Sequence, residues 1–461
     1  MSRTKTRFSP QSLLLSLSGL PACKRLLVGF SGGADSTALL LALHQLQLQL
    51  TADLAAVHFN HGLQANAEDW LRHCQHFCQQ RNIPLQVQQL WVQHNAGSSP
   101  EAAAREARYR AIAQLLERDD IFLTAHQADD QAETLFLNLM RGSGSQGLAG
   151  IPPLRVYAKG WVARPLLNVR REELEHYLNA ENVGWITDTS NQDQSMDRNY
   201  LRATVFPSLE QRWPGLVRRL NQTSRHLRDQ SAALRLLLAQ SPEYLSPDGI
   251  TLPLPAFSKA ALVLQAEIIR NWVHERSAAP PPRARLQEFL QQLQDLRADS
   301  QAELRWGRWL IKHHAGQLWM HELPLPAPCP LTAWESNARL NLGGPHGNLM
   351  LNGAATDSFR QLRVSYRTML TKDPFISRSD KKKIKENMRL SRIPDWLRDT
   401  VPLLVLENKL CAIGDWWLAR DFQQLLLAAK LEYQWQPEHL LLMKVQSLCH
   451  NSAVDPEGPL V

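Results

Sequence analysis

The chain has 461 residues, of which 44% are hydrophobic and 21% charged, enough for two or three domains with cores of their own. Its formal net charge is +7 and its isoelectric point about 9.1, a balance that points to a polyanionic partner without specifying one. No apolar run approaches the roughly 18 residues that cross a bilayer, and six scattered cysteines make no disulfide scaffold, which excludes a helical membrane protein and a small secreted domain.

In chain order, "MSRTKTRFSPQSLLLSLSGLPACKR" is basic and then leucine-rich. Serines interrupt its short apolar core and Lys24-Arg25 leads straight into a strand, so it reads as a short helix rather than a signal peptide, and the expected compartment is the cytoplasm. "RLLVGF" is a continuous apolar run, the pattern of a strand buried on both faces, and "STALLLALHQL" is helical. "LAAVHF" is a second strand, "NAEDWLRHCQHFCQQRN" a helix, and "LQVQQLWV" a third strand. "SPEAAAREARYRAIAQLLER" opens with the helix-start signal Ser99-Pro100-Glu101. "IFLTAH" is a fourth strand, and "DDQAETLFLNLM" is a helix closed by Arg141-Gly142. This βαβαβαβα order predicts an α/β domain with a parallel, Rossmann-like sheet covered by helices. Ligands of such sheets bind beyond the C-terminal ends of the strands.

After a Gly- and Pro-rich stretch, "RPLLNVRREELEHYLNAENV" returns to helix, and Trp213-Pro214-Gly215 closes a first domain over 1–215. Residues 216–322 read as a helical middle domain, broken at "AAPPPRAR". "LPLPAPCP" is too proline-dense for a helix interior and reads as a linker. A small α+β domain over 331–436 carries the basic stretch "KKKIKENMRLSRIPDWLR", and 437–461 gives no signal and is set apart as a tail.

Two motifs invite chemistry. "RHCQHFC" offers His73, Cys74, His76 and Cys78. No second cysteine pair follows at zinc-site spacing, and Cys74 and Cys78, four apart, fall on one face of a helix beside Phe77, so the cluster reads as packing. "LLVGFSGGADSTALLLAL" is a strand, a glycine turn and a helix. It lacks the Gly-Lys-Ser/Thr of a Walker A loop and the G-x-G-x-x-G of a dinucleotide fingerprint. Gly32 and Gly33 nevertheless let backbone approach a phosphate, Ser31 and Ser36 add hydroxyls, and the helix start supplies N–H groups with a positive dipole end. Asp35 inside this loop has two readings. It is either the helix N-cap or a ligand for magnesium carried by a nucleoside triphosphate.

The loop resembles the signature of the PP-loop ATP pyrophosphatase superfamily, whose members cleave ATP between the α- and β-phosphates and adenylate a substrate. "VHFNHGL", "EAAAREARY", "TAHQADDQAET", "RGSG" and "SNQDQSMDRN" follow in the order seen in tRNA(Ile)-lysidine synthetases, and "IPDWLRDTVPLL" is similar to that family's last domain. The resemblance is dense over the first 215 residues and poor between about 221 and 354. It implies ATP-dependent attachment of free L-lysine to the wobble cytidine of an isoleucine tRNA with anticodon CAU. The base is adenylated first, and AMP and pyrophosphate are released.

The resemblance also implies roles. Ser31, Gly32, Gly33, Ala34, Asp35 and Ser36 would bind ATP, and Asp35 with Asp130 would hold Mg2+. His126 would meet the phosphates or the base, and Arg105 the phosphates, with Arg108 three residues on as its rival. Arg198, in "DRN", would reach the activated nucleotide or the tRNA. Without the family pattern, His126 is a turn histidine, Asp130-x-x-Glu133 a capping box, and Arg105 part of a solvated helix face. Asp129 is the weaker partner for the metal. Lys381, Lys382, Lys383, Arg389, Trp396 and Arg398 are the candidates for tRNA contact, against the plainer reading of a charged solvated helix. A homodimer is the candidate assembly. The competing functions are another PP-loop tRNA-modifying enzyme, such as a thiolation enzyme dependent on cysteines, and a non-catalytic RNA-binding protein. A glutamine-dependent amidotransferase is not expected, since 25 residues before the first strand leave no room for a glutaminase domain there.

Overall fold

The computed structural model describes residues 8–60, 67–90, 100–187, 193–244, 248–276, 280–295, 302–325, 327, 332–334, 339–352 and 362–451. The chain divides into two compact units, Met1–Leu234 and Arg235–Val461. No helix among the described residues is long and apolar enough to cross a membrane.

The first unit runs α1 (Pro10–Leu17), β1 (Arg25–Gly29), α2 (Ala34–Gln45), β2 (Asp53–Asn60), α3 (Ala67–Gln79), β3 (Leu85–Gln89), α4 (Pro100–Leu115), β4 (Asp120–Leu123) and α5 (Ala128–Met140). It continues with α6 (Ser145–Leu148), β5 (Leu154–Tyr157), β6 (Gly160–Ala163), α7 (Arg171–Ala180), α8 (Asp197–Tyr200), α9 (Phe206–Arg212) and α10 (Leu216–Ala239). The sheet order is β3-β2-β1-β4-β6-β5, parallel except for the edge strand β5. Leu27 and Val28 of β1 are fully buried because helices cover both faces. α2 is apolar on every side, from Ala38 to Leu43, and lies within the main core with Tyr177 and Leu178 of α7. Tyr177 Oη also donates to Gln45 Oε1 at 2.9 Å.

β1 pairs with β2 on one side and β4 on the other, so the strand order reverses there. Loops leaving β1 and β4 must diverge, which opens a crevice at their C-terminal ends. This register, with Val28 opposite Leu123, brings the glycine loop beside the turn at 124–127.

The glycine loop is clamped from behind. Ile186 N–H donates to Gly32 O at 2.8 Å, and Gly33 and Ile186 form an isolated parallel bridge. Gly32 sits at φ +82, and a Cβ there would lie 2.6 Å from Ile186 Cδ1 and 3.1 Å from Cys74 Sγ. Cys74 and Cys78 are buried in the core with Phe77. No metal-holding group of three or more His, Cys, Asp or Glu occurs among the described residues.

The first unit extends past the Trp213-Pro214-Gly215 break. Glu210 accepts from Gly215 N–H and Leu216 N–H, each at 2.8 Å. Asn221, Ser224 and Arg228 of α10 then donate to carbonyls of Ala128 and Ala149.

In the second unit, β7 (Thr251–Pro253), α11 (Leu254–Lys259), α12 (Leu262–Arg276) and α13 (Arg283–Gln294) precede β8 (Glu303–Trp306), β9 (Trp309–His314) and β10 (Gln317–Glu322). The middle region is thus helical as expected, with an antiparallel sheet β7-β10-β9-β8 added at its end. Of the proline-rich 323–330 stretch, 326 and 328–330 lie outside the described residues. The C-terminal region contains β11 (Thr332–Trp334), β12 (Arg339–Asn341), β13 (Asn348–Asn352), β14 (Leu362–Ser365), α14 (Arg367–Leu370), α15 (Arg378–Leu390), β15 (Leu403–Leu406), β16 (Lys409–Ile413), β17 (Trp417–Leu418), α16 (Arg420–Ala428), β18 (Glu432–Gln436) and α17 (Leu440–Asn451). Its sheets are β11-β14-β15-β16-β17 and β12-β13-β18. The segment set apart as a tail is corrected by α17, whose Leu441, Leu442, Val445 and Cys449 are buried.

Replacing Gly32 with alanine forces a left-handed residue against Ile186. Gly32→Ala should lower stability by about 1–3 kcal/mol, read as a lower urea midpoint at unchanged m-value, and should weaken nucleotide binding in parallel.

Candidate active site

A cavity of about 710 Å³ opens at the crevice between β1 and β4. Asp35, Arg105, His126, Asp130 and Arg198 all line it, with Ser31, Gly33, Ala34 and Ser36 of the loop. Gly32 lies beneath, in contact with Ile186. Residues from four separated stretches of sequence therefore meet at the predicted place.

The loop is held by its own hydroxyls. Ser36 Oγ donates to Gly33 O at 3.0 Å and lies 3.1 Å from Ser31 Oγ. The N-cap of α2 is Gly33, and no side chain caps it. Asp35 stands in the first turn instead, which corrects the N-cap reading. Its Oδ1 is buried without a hydrogen-bond partner among the described residues. Burial, and then the charge of Asp130, push the Asp35 carboxyl up to about 7, against the pull of Arg171 and Arg202.

Asp130 does belong to a capping box, but a different one. Gln127 is the N-cap of α5, and Asp130 Oδ2 accepts from Gln127 N–H at 3.0 Å. Glu133 has no part in the cap. It is 0% exposed and paired with both Nε and Nη2 of Arg202, while Arg202 Nη2 also reaches Asp130 Oδ1 at 2.7 Å. Burial pushes the Glu133 carboxyl up to about 7, and Arg202 is the largest influence holding it down. Asp129 faces elsewhere: it accepts from Arg171 N–H at 3.0 Å and pairs with Arg170 at 3.1 Å. Asp129 thus ties α5 to α7, leaving Asp130 as the acid beside Asp35.

His126 follows β4, and its Nδ1 bonds to Thr124 Oγ1 at 2.8 Å. Burial, with Arg164, Arg105 and Arg198 nearby, holds its pKa well below the usual imidazole range against the pull of Asp130. The ring is neutral at physiological pH. Arg105 and Arg108 both line the cavity. The crowding of protein around Arg108, and then Arg105, lower the Arg108 pKa.

Arg202 is the main residue that sequence reasoning missed. Its signal was spacing, since it lies four residues after Arg198 and so on the same side of a helix. The turn over Leu201–Val205 is a wider π-turn, a feature frequent at functional sites. His58, within the "VHFNHGL" motif, also lines the cavity, its Nδ1 bonded to Phe30 O at 2.9 Å.

The six tRNA candidates lie in the second unit and divide. Lys382, Lys383 and Arg389 are exposed on α15. Lys383 also reaches Asp380 at 3.4 Å, and Lys381 Nζ donates to Asp373 O at 2.8 Å. Arg398 pairs with Asp395 and donates to Ile393 O at 3.1 Å. Trp396 is half-buried, with His321 stacked on it at 6.3 Å, His314 edge-on at 5.7 Å and Lys312 5.3 Å from its ring centroid. The structure gives Trp396 a packing role between that segment and β9–β10.

Three family models match the chain: a PP-loop domain over residues 9–209, the TilS substrate binding domain over 252–319 and the TilS substrate C-terminal domain over 364–435. A tRNA(Ile)-lysidine synthase of Coxiella burnetii is 30% identical over 94% of this chain and 96% of its own. One from Alkalilimnicola ehrlichii is 33% identical over 90% and 94%, and one from Escherichia coli O157:H7 is 34% identical over 86% and 93%. Among solved structures, the U34-tRNA thiolase NcsA from Methanococcus maripaludis with its [4Fe-4S] cluster has a TM-score of 0.40 at 17% identity, over 48% of this chain and 78% of its own. A PP-loop domain implies ATP binding.

A carboxyl raised from 3.8 to about 7 costs the folded state increasingly as pH rises from the lower value, in full above the upper one. In the absence of metal and nucleotide, Asp35→Asn should therefore be more stable than the parent protein by about 1–3 kcal/mol at pH 8. The advantage should shrink towards pH 4. Urea titrations at the two pH values check the sign.

Proposed function

The chain belongs to the tRNA(Ile)-lysidine synthase family and is a tRNA-modifying ligase; we propose that it joins free L-lysine to the wobble cytidine of tRNA(Ile) with anticodon CAU. The oxygen on the base's ring carbonyl carbon attacks the α-phosphorus of ATP and pyrophosphate leaves. The lysine amine then attacks that carbon and AMP leaves. The wobble base is single-stranded and can turn out into a cavity of this size.

The observation that carries the reading is the Asp35 carboxyl, whose buried Oδ1 has no hydrogen-bond partner among the described residues and which feels the charge of Asp130 from within the glycine loop. Two carboxylates in mutual repulsion fit a divalent cation, and magnesium commonly takes one or two carboxylates with phosphate oxygens. Asp35 and Asp130 would hold Mg2+, which supplies charge neutralisation on the phosphates. The loop N–H groups and Arg105 meet the negative charge that grows on pyrophosphate. His126, kept neutral, can hydrogen-bond to a phosphate or to the base without adding charge. Arg198 faces the same cavity and is the candidate for holding the activated nucleotide. A thiolation chemistry is disfavoured because burial pushes the Cys74 and Cys78 thiols up to about 12 and 11, which leaves them protonated.

Purified protein with Mg2+, ATP, labelled lysine and the CAU tRNA should label the tRNA and release AMP in equal amounts. Sulfur transfer, or tRNA binding without turnover, would sink the proposal. Asp35→Ala should keep tRNA binding and lose AMP release.

The exposed face of α15 gives a separate test of RNA contact. The triple replacement Lys382→Ala, Lys383→Ala and Arg389→Ala should weaken tRNA binding. It should also reduce the slope of log affinity against log salt by about one for each phosphate no longer neutralised. An unchanged slope would remove α15 from the interface.

A further inference from the structure

Arg105 and Tyr109 stand four apart on α4, hence on one face, and both line the cavity. The Arg105 guanidinium lies 5.2 Å from the Tyr109 ring centroid. Arg155, from β5, lies 4.8 Å from the same ring and 4.8 Å from that of Tyr157. Arg164, after β6, reaches Tyr109 Oη at 3.3 Å and Pro152 O at 2.8 Å. Tyr157 Oη donates to Tyr109 O at 2.9 Å, and the two rings meet edge-on at 5.4 Å. One tyrosine thus gathers three guanidinium groups, and its own backbone is tied to the edge strand.

Like charges do not collect without cause. The charged groups acting most strongly on Arg164 are Tyr109, Arg155 and Arg105, with no carboxylate among them. The Tyr109 phenol is itself shifted down, since Arg164, Arg105 and Arg155 together outweigh the effect of its burial. Among the described residues, no ion pair is formed by Arg105, Arg155 or Arg164 with an acid. An aromatic face holds a cation through its quadrupole, without supplying a full negative charge. An arginine held this way has no ion pair to break when a phosphate arrives.

We propose that Tyr109 is a positioning residue that presents Arg105 to the phosphates, with its ring as the seat for the guanidinium and its hydroxyl anchored by Arg164. This rests on the reading above, in which Arg105 meets the charge growing on pyrophosphate. Because that charge is larger in the transition state than in bound ATP, misplacing Arg105 lowers kcat and leaves KM for tRNA nearly unchanged.

The test is a double-mutant cycle on AMP release at saturating ATP, lysine and tRNA. Tyr109→Leu should lower kcat by about fivefold, within the range set by a cation–π contact of an exposed guanidinium. Tyr109→Phe, which keeps the ring, should stay within about threefold of the parent. In an Arg105→Ala background, Tyr109→Leu should cause no further loss. Thermal unfolding of each variant checks the fold, and Tyr109→Met, which keeps much of the volume without the ring, stands in if the leucine variant does not fold. Full activity of Tyr109→Leu, or additive losses in the cycle, would overturn the proposal. Full activity of Arg105→Ala alone would instead overturn the role given to Arg105.

Discussion

The cavity depends on one guanidinium. Arg202 binds Glu133, which has no exposure to water, and Asp130, which faces Asp35. Without a fixed positive charge at that point, Glu133 would be a buried acid with no partner. Asp130 would likewise meet Asp35 with less to offset the repulsion, Arg171 being the other arginine that acts on Asp35. The same contact joins α5 to the turn that leads into α9. Arg198 lies one helical turn earlier on the same segment. A single bidentate pair therefore fixes the acids on one side of the crevice and orients the arginine segment across from them.

Charge is divided within the cavity accordingly. Asp35 belongs to the glycine loop, and Asp130 and Arg202 line the same cavity, while Arg105 and Arg108 stand on α4 with Arg164 nearby. The two sides use different counter-groups. Arg202 is locked to acids, so it sets the charge state of its neighbours and is poorly placed to follow a moving phosphate. Arg105 rests on an aromatic ring, a weaker seat that leaves its charge available. On the proposed reading a nucleoside triphosphate with its metal would meet both kinds of surface, since it is anionic along its length and carries a cation at one end. His126 lies between these charges and stays neutral because burial and the arginines outweigh Asp130.

How far this was legible in the sequence differs by feature. The parallel sheet followed from apolar runs alternating with helical periods, because a strand covered on both faces must be apolar on both. The meeting of Asp35, His126 and Asp130 was implied by the family resemblance and by the shared C-terminal side of the strands, whereas the pairing of β1 with β4 came from the structure. Partnerships within the site were harder. Asp130-x-x-Glu133 looks like a capping box, yet Gln127 is the cap, and Glu133 is taken by an arginine 69 residues away. Local spacing cannot announce a contact made through tertiary packing. Similarly, the basic run of α15 reads as one charged patch, but Lys381 and Arg398 are engaged in internal bonds and Trp396 in packing against β9–β10. The helix α17 was invisible for a related reason: its buried positions, Leu441, Leu442, Val445 and Cys449, face a core assembled from elsewhere in the second unit.

The position of Asp35 carries the remaining argument. An aspartate at the N-cap would commit a carboxylate oxygen to backbone N–H groups, and those donors would then be withheld from a phosphate. Here the cap is Gly33, which brings no side chain, and Asp35 stands in the first turn with an oxygen left unbonded. The glycine turn is held instead by Ser36, and from behind by Ile186. The loop thus gets its shape from groups that need no ligand, and its acid is kept for one. That arrangement costs stability, since a buried carboxylate without a donor is a strained charge. On the proposed reading a cation completes the site during turnover, and Asp130, whose Oδ1 is paired with Arg202 at 2.7 Å, would share that cation while repelling Asp35 less than a free carboxylate would.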